Sequence, residues 1–207
     1  MKRIAIILLL LLAGCQQPDY RNSVCQVWAY KKYTFDKQVI CAKQGTGFLI
    51  TPNLVLTCAH VVTFGSPSFM LRMPADSIIC IFLSDTVLAT VSDIDQKRDI
   101  AKLQLQGFHG TPLKVGHFEL IFTSTQQFGS FLLVLGYPSG EWSAFPARAI
   151  EPDTSGDKIV ALIDSHKSLG GASGSPVLYK GYVVGILQEQ GIGGYTHKRF
   201  IRFRLLD

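Results

Sequence analysis

Residues 170–178 read GGASGSPVL, and Ser168 lies just upstream. Small hydroxyl residues on a Gly-rich bend, directly before a strand-like run, suit two roles. One is a plain turn. The other is a nucleophile held where backbone N–H groups can gather around an oxyanion. A serine hydroxyl is weakly nucleophilic and needs an adjacent base. His60 supplies a candidate, at the end of the segment 45–62, GTGFLITPNLVLTCAHVV. A third group must orient that imidazole. The segment 93–105, DIDQKRDIAKLQL, offers Asp93, Asp95 and Asp99. A hydroxyl, an imidazole and a carboxylate are together the ingredients of acyl transfer. Each residue alone is equally consistent with an ordinary structural position.

These groups are more than 110 residues apart from first to last, so the fold must bring them together. The pattern between them is one of short strands. Candidates are 24–30, 46–50, 54–57, 69–73, 78–83, 87–91 and 100–105, then 131–135, 144–150, 158–163, 176–179, 182–187 and 199–206. They are rich in β-branched and aromatic residues and bounded by Gly, Pro, Asn, Asp or Ser. The last alternates clearly: Ile201, Phe203 and Leu205 are expected to face inward, Arg202 and Arg204 outward. Nothing longer than a short turn after His60 has helical periodicity. Many short strands with regular turns predict an all-β sandwich or barrel. A less regular stretch places a boundary near residues 106–120.

The first 14 residues stand apart. Lys2 and Arg3 precede an apolar run from Ile4 to Leu12 and then Ala13-Gly14-Cys15. This reads as a secretory signal, too short to span a bilayer as a helix. Its ending resembles a bacterial lipobox, which implies cleavage before Cys15 and a lipid on that cysteine. Residues 15–23 then form a tether. The chain of 207 residues has a formal net charge of +5. Loss of Lys2 and Arg3 lowers it by two, too little and too scattered to argue for nucleic acid. Cys25, Cys41, Cys58 and Cys80 allow three complete pairings, which sequence does not decide between. No C-x-x-C spacing occurs and the five histidines show no ligand spacing, so no metal is expected.

The three chemical segments resemble, in order, the catalytic blocks of chymotrypsin-fold serine proteases. They are most similar to the bacterial glutamyl endopeptidases and the high-temperature-requirement proteases. TCAH at 57–60, DIAKL at 99–103 and GASGSP at 171–176 carry the resemblance, and LGYPSG at 135–140 resembles a turn of the same enzymes. It implies two six-stranded antiparallel Greek-key β-barrels, residues 24–110 and 111–207, with the active site in the cleft between them. It implies Ser173 as nucleophile, His60 as base, Asp99 as its orienting carboxylate, and the N–H groups of Gly171 and Ser173 as oxyanion hole. No cofactor is implied. Lys167 stands where trypsin-like enzymes line their first specificity pocket, and could favour an acidic residue. The strand 182–188 is expected to pair with an extended peptide.

The resemblance has departures. Ala172 replaces the aspartate that pairs with a freshly cut amino terminus in digestive enzymes, so activity without propeptide cleavage is expected. Cys58 and Val61 leave no histidine-loop disulfide of the animal type. The resulting expectation is a monomeric serine endopeptidase acting on protein or peptide substrates. It would be held to the cell envelope by lipid on Cys15; Gln16 points to the outer membrane where the host has two. A non-catalytic envelope binding module and an esterase with the same triad are the competing readings. The missing strand–turn–helix around the serine disfavours an α/β-hydrolase.

Overall fold

A computed structural model describes residues 19–35, 37–66, 69–116, 131–153, 158–164, 168–192 and 199–206. Residues 1–14, Cys15 and Lys167 lie outside the described residues. Among the described residues there are fourteen strands: β1 Val24–Phe35, β2 Lys37–Thr51, β3 Leu54–Thr57, β4 Thr63–Ser66, β5 Phe69–Pro74, β6 Ser77–Ile81, β7 Thr86–Asp95, β8 Ile100–Leu105, β9 Phe131–Gly136, β10 Ser143–Pro152, β11 Lys158–Ile163, β12 Pro176–Tyr179, β13 Tyr182–Ile192 and β14 Arg199–Leu205. A short α-helix, α1, covers Ala59–Val62, and 3₁₀ turns cover Tyr20–Asn22 and Pro138–Gly140.

The strands close into two antiparallel barrels. The first has the ring order β1-β2-β3-β8-β7-β6 and the second β10-β11-β14-β13-β12-β9, with β4 and β5 a separate hairpin. Renumbered within each barrel, both rings read 1-2-3-6-5-4. The chain therefore builds the same Greek key twice, although no repeat is visible residue by residue. Closure removes the exposed edges that a flat sheet would offer.

Alternation dictates the inner faces. In β8 the pattern puts Ala101, Leu103 and Leu105 inside, and in β11 it buries Ile159, Ala161 and Ile163. Ile201 and Phe203 fill the second barrel from β14. The first barrel's apolar cluster continues into Leu135, Tyr137, Leu178, Val183 and Ile186 of the second. That shared apolar contact fixes the two barrels against each other and so fixes the groove between them.

Several strands run longer than the sequence suggests, β7 among them. β1 and β2 form one ribbon in unbroken register from Val24 opposite Phe48 to Phe35 opposite Lys37. β13 continues to Ile192 along β14. The connector after β8 is sewn to both barrels: Leu113 N–H donates to Leu49 O, and Gly116 N–H to Val183 O. The edge of β13 is another difference. Residues 182–186 are already covered by β12. Among the described residues the length open to an incoming strand is 188–192, beyond the last β12 partner.

Candidate active site

His60 sits in α1, immediately after β3 has crossed the first barrel. Asp99 lies just before β8, which pairs with β3 through Thr57 opposite Ala101. Adjacent strands thus deliver the two residues side by side. The carboxylate grips His60 twice. His60 backbone N–H donates to Asp99 Oδ1 at 2.9 Å, and His60 Nδ1 meets Asp99 Oδ2 at 2.7 Å. A carboxylate in that position holds the ring with its proton on Nδ1 and turns Nε2 toward the groove.

Asp99 adopts φ 55°, which aspartate tolerates better than most residues. Two donors pin the backbone there. Ala59 N–H donates to Asp99 O at 3.2 Å. Gln188 Nε2 donates to Arg98 O at 2.6 Å and to Asp99 O at 3.2 Å. Burial raises the Asp99 pKa. The hydrogen bond and charge of His60, its backbone N–H and Arg72 outweigh that, so the carboxyl lies below its usual range.

Lys43 supports the same turn from β2. Its Nζ donates to His60 O at 2.9 Å and Thr63 O at 2.5 Å, and lies 5.0 Å from the Phe64 ring centroid. Burial lowers its pKa, Arg72 adds to that, and Asp99 opposes it.

The Gly-rich bend arrives from the second barrel. Gly174 has φ +91°, and a Cβ there would lie 2.0 Å from Thr46 O. Only glycine can occupy so close an approach. The loop's amides divide cleanly. Ala172 N–H donates to Leu169 O, Gly174 N–H to Leu187 O and Ser175 N–H to Ala172 O. The N–H groups of Gly171 and Ser173 have no acceptor among the described residues.

Their directions are nevertheless fixed, because each shares a planar peptide with a bonded carbonyl. Gly170 O accepts Ser139 N–H at 2.6 Å, and Ala172 O accepts Ser175 N–H at 3.0 Å. The opposite ends of those two peptides are the Gly171 and Ser173 donors. Ser139 belongs to the LGYPSG turn, which gives that motif a physical task. Gly171, at φ +85°, lets the chain turn between them.

Thr46 locks the bend to the first barrel. Its N–H donates to Ser173 O at 2.8 Å and its hydroxyl to Gly171 O at 2.9 Å, while the hydroxyl accepts Tyr137 N–H at 3.1 Å. Leu187 O is a second junction. It accepts Gly174 N–H at 2.8 Å and the Cys58 thiol at 3.2 Å, two residues before His60. Ser173 is half-buried, and no hydrogen bond joins its hydroxyl to His60 among the described residues. Such contacts tighten when substrate binds.

Cys58, His60 and Asp99 could in principle hold a cation, since their donor atoms lie within 4.8 Å of one another. Those donors are spoken for. Nδ1 and Oδ2 bind each other, and burial pushes the Cys58 thiol well above its ordinary value. The arrangement suits proton transfer better than metal ligation. Cys25, Cys41, Cys58 and Cys80 are free thiols.

Asp99 is bonded to His60, and the 171–175 bend is bonded to the first barrel through Thr46 and shares Leu187 O with Cys58. Thr46, Lys43 and Gln188 are additions that sequence reading misses. The Gly-Thr-Gly strand is a faint signal for Thr46; nothing local marks Gln188.

Residues 45–186 match the family model for the trypsin-like peptidase domain. The chain belongs to that family. The matched stretch runs from the strand holding Thr46 to the core of β13 and includes all three blocks. Among curated proteins, the chain is 36% identical over 107 residues to the mitochondrial serine protease HTRA2 of Drosophila grimshawi, covering 50% of this chain and 22% of the relative. It is 38% identical over 108 residues to the same protein of Drosophila pseudoobscura pseudoobscura. The match spans about a fifth of those relatives' length. Among solved structures, the active form of the Rv3671c protease from M. tuberculosis aligns with a TM-score of 0.64 at 25% identity, over 88% of this chain and 76% of that one. Its inactive form aligns at 0.58 and 24% identity, a likeness in fold. The trypsin-like family thus accounts for the two barrels and the groove between them.

Proposed function

We propose that the chain is a serine endopeptidase working through Ser173, His60 and Asp99, held to the cell envelope by lipid on Cys15. One observation carries the catalytic reading. Asp99 clamps both the backbone and the ring of His60, and the amides of Gly171 and Ser173, on the bend tied to the same barrel by Thr46, have no acceptor among the described residues.

The chemistry follows from that arrangement. Ser173 Oγ attacks the peptide carbonyl while His60 Nε2 accepts its proton. The carbonyl oxygen gains negative charge, which the Gly171 and Ser173 amides stabilise without reorganising. Asp99 stabilises the imidazolium without taking its proton. His60 returns the proton to the leaving amine, leaving an acyl-Ser173. Water, deprotonated by His60, attacks the ester and releases the acid and the free serine. An extended substrate can add to the open 188–192 edge of β13, which leads directly away from the bulge at Gln188.

The test is cleavage of an unfolded protein by the full chain and by S173A. Proteolysis that S173A abolishes supports the reading. Proteolysis that survives in S173A, or none from the wild type, rejects it. The anchor has its own test: C15S should move the protein from the membrane to the soluble fraction, and unchanged membrane association would refute lipidation at Cys15.

A further inference from the structure

β13 starts at Tyr182, beside a cavity of about 520 Å³ whose lining includes Asp19, Tyr20, Lys114, Lys180 and Tyr182. These residues are fixed in place. Val183 N–H donates to Lys114 O at 2.8 Å. Gly116 packs so closely on Tyr182 that a Cβ there would lie 2.8 Å from the tyrosine Cβ. Lys180 and Gly181 form the two-residue turn between β12 and β13, with Tyr179 opposite Tyr182. Both have positive φ, 51° and 84°. Such a turn favours asparagine, aspartate or glycine at its first position, and a lysine there is strained. The strain keeps an ammonium group at the tip of the hairpin, 5.0 Å from the Tyr179 ring centroid.

The charges around this cavity are unbalanced. Its one carboxylate among the described residues, Asp19, is taken by the Arg21 guanidinium, with contacts of 2.9 and 2.8 Å. Lys114 and Lys180 are exposed and have no carboxylate partner among the described residues. Tyr182 is exposed beside them, an apolar ring with a polar tip, the kind of side chain that settles at a bilayer surface. Distance supplies the rest. Asp19 follows Cys15 by four residues, and a stretch of that length spans about 14 Å when fully extended. A lipid on Cys15 would therefore hold Asp19, and the cavity it lines, within that reach of the headgroups.

We propose that the face carrying Lys114, Lys180 and Tyr182 docks on the anionic phospholipids of the membrane that holds the chain. The proposal rests on the lipidation of Cys15 proposed above and adds an orientation to it. The lipid limits the distance. The two ammonium groups select which side of the domain turns to the headgroup phosphates, and Tyr182 enters the interface. Gln188 lies six residues along β13 from Tyr182, about 20 Å at the rise of a strand. It bonds to the carbonyls of Arg98 and Asp99. The docking face and the Asp99 loop thus occupy opposite ends of that stretch.

The experiment adds the lipidated full chain to preformed vesicles of phosphatidylcholine, with or without phosphatidylglycerol. A water-soluble succinimidyl ester then acylates accessible lysines, and peptide mass spectrometry reads each one. Lys97, exposed in the turn before Asp99, is the internal control. Labelling of Lys114 and Lys180 should fall roughly 5- to 25-fold in the anionic vesicles, because each basic side chain near such a surface changes partitioning about fivefold. Lys97 should not change. In about 1 M salt, where the Debye length shrinks to about 3 Å, the protection should vanish. Each lysine also reports on the loss of the other. K180N, which suits the turn, should cut the protection of Lys114 about fivefold, and K114Q that of Lys180. Both variants should still react with a fluorophosphonate at Ser173. Equal labelling of Lys114 and Lys180 in the two kinds of vesicle would overturn the proposal, as would protection shared equally by Lys97 or untouched by either substitution. A chain whose intact mass shows no lipid would instead reject the anchor itself, and the orientation with it.

Discussion

Asp99 uses both carboxylate oxygens on a single partner, taking the His60 backbone N–H at 2.9 Å and its Nδ1 at 2.7 Å. An asparagine fits the same backbone, because it too tolerates positive φ. It can accept only one of the two hydrogen bonds, and its NH₂ then faces a donor. The imidazole is driven to the tautomer with hydrogen on Nε2, which cannot take a proton from Ser173. D99N should keep the fold and lose about 10⁴ in turnover, the loss known for this change in a serine protease. Near-wild-type kcat in D99N would show that Asp99 is misassigned.

The depressed Asp99 pKa also links to stability. The folded-state value lies below the ordinary 3.8. Its contribution is thus present above the unfolded pKa and disappears as pH falls through the folded one. D99N should melt below the wild type near pH 7, and the gap should close below about pH 4. Melting temperatures of both proteins across pH 2–7 check this; a gap that stays constant into acid contradicts it.

Gln188 reaches from the second barrel to hold the strained Asp99 loop of the first. It can do so because β13 bulges there: Leu187 is opposite Phe203 and Glu189 opposite Arg202, leaving Gln188 without a partner on β14. Bulges re-aim side chains in this way. Q188M, filling similar volume without the donor, should lower kcat by about 10- to 100-fold with little change in KM, as small misplacements do. A circular dichroism spectrum like the wild type's would show that the fold survives. Unchanged kcat in a folded Q188M would remove Gln188 from the machinery.

Thr46 is buried and bonds to the oxyanion bend on one side and Tyr137 on the other. T46V keeps the shape and strands Gly171 O and Tyr137 N–H. The cost should be about 1–3 kcal/mol in unfolding free energy by denaturant titration. Because Gly171 also carries an oxyanion donor, kcat should fall more than KM rises. A stable T46V with unaltered kinetics would mean that the bend holds itself.

Much of this was legible in the residues. The alternation of 100–105 and 199–206 foretells which side chains fill the barrels, and the turn after His60 is α1. The ordered blocks point to the trypsin-like family to which the chain belongs. What was hidden depends on contacts at long range. Gln188 and Asp99 are 89 residues apart, and a bulge leaves no local trace. The polar stretch YKKYTF does not read as strand, yet pairing with β2 satisfies its backbone. A barrel's closing pairs, such as Val134 with Val177, follow from topology rather than from either segment.

The central claim is that Ser173 is the hydroxyl made nucleophilic by His60 and Asp99. Its most direct test is intact-mass measurement and peptide mapping after exposure of the full chain to a fluorophosphonate. One adduct per chain, on Ser173 and absent from S173A, is the predicted result. An unmodified chain, or an adduct mapping to Ser168 or Ser175, would contradict it.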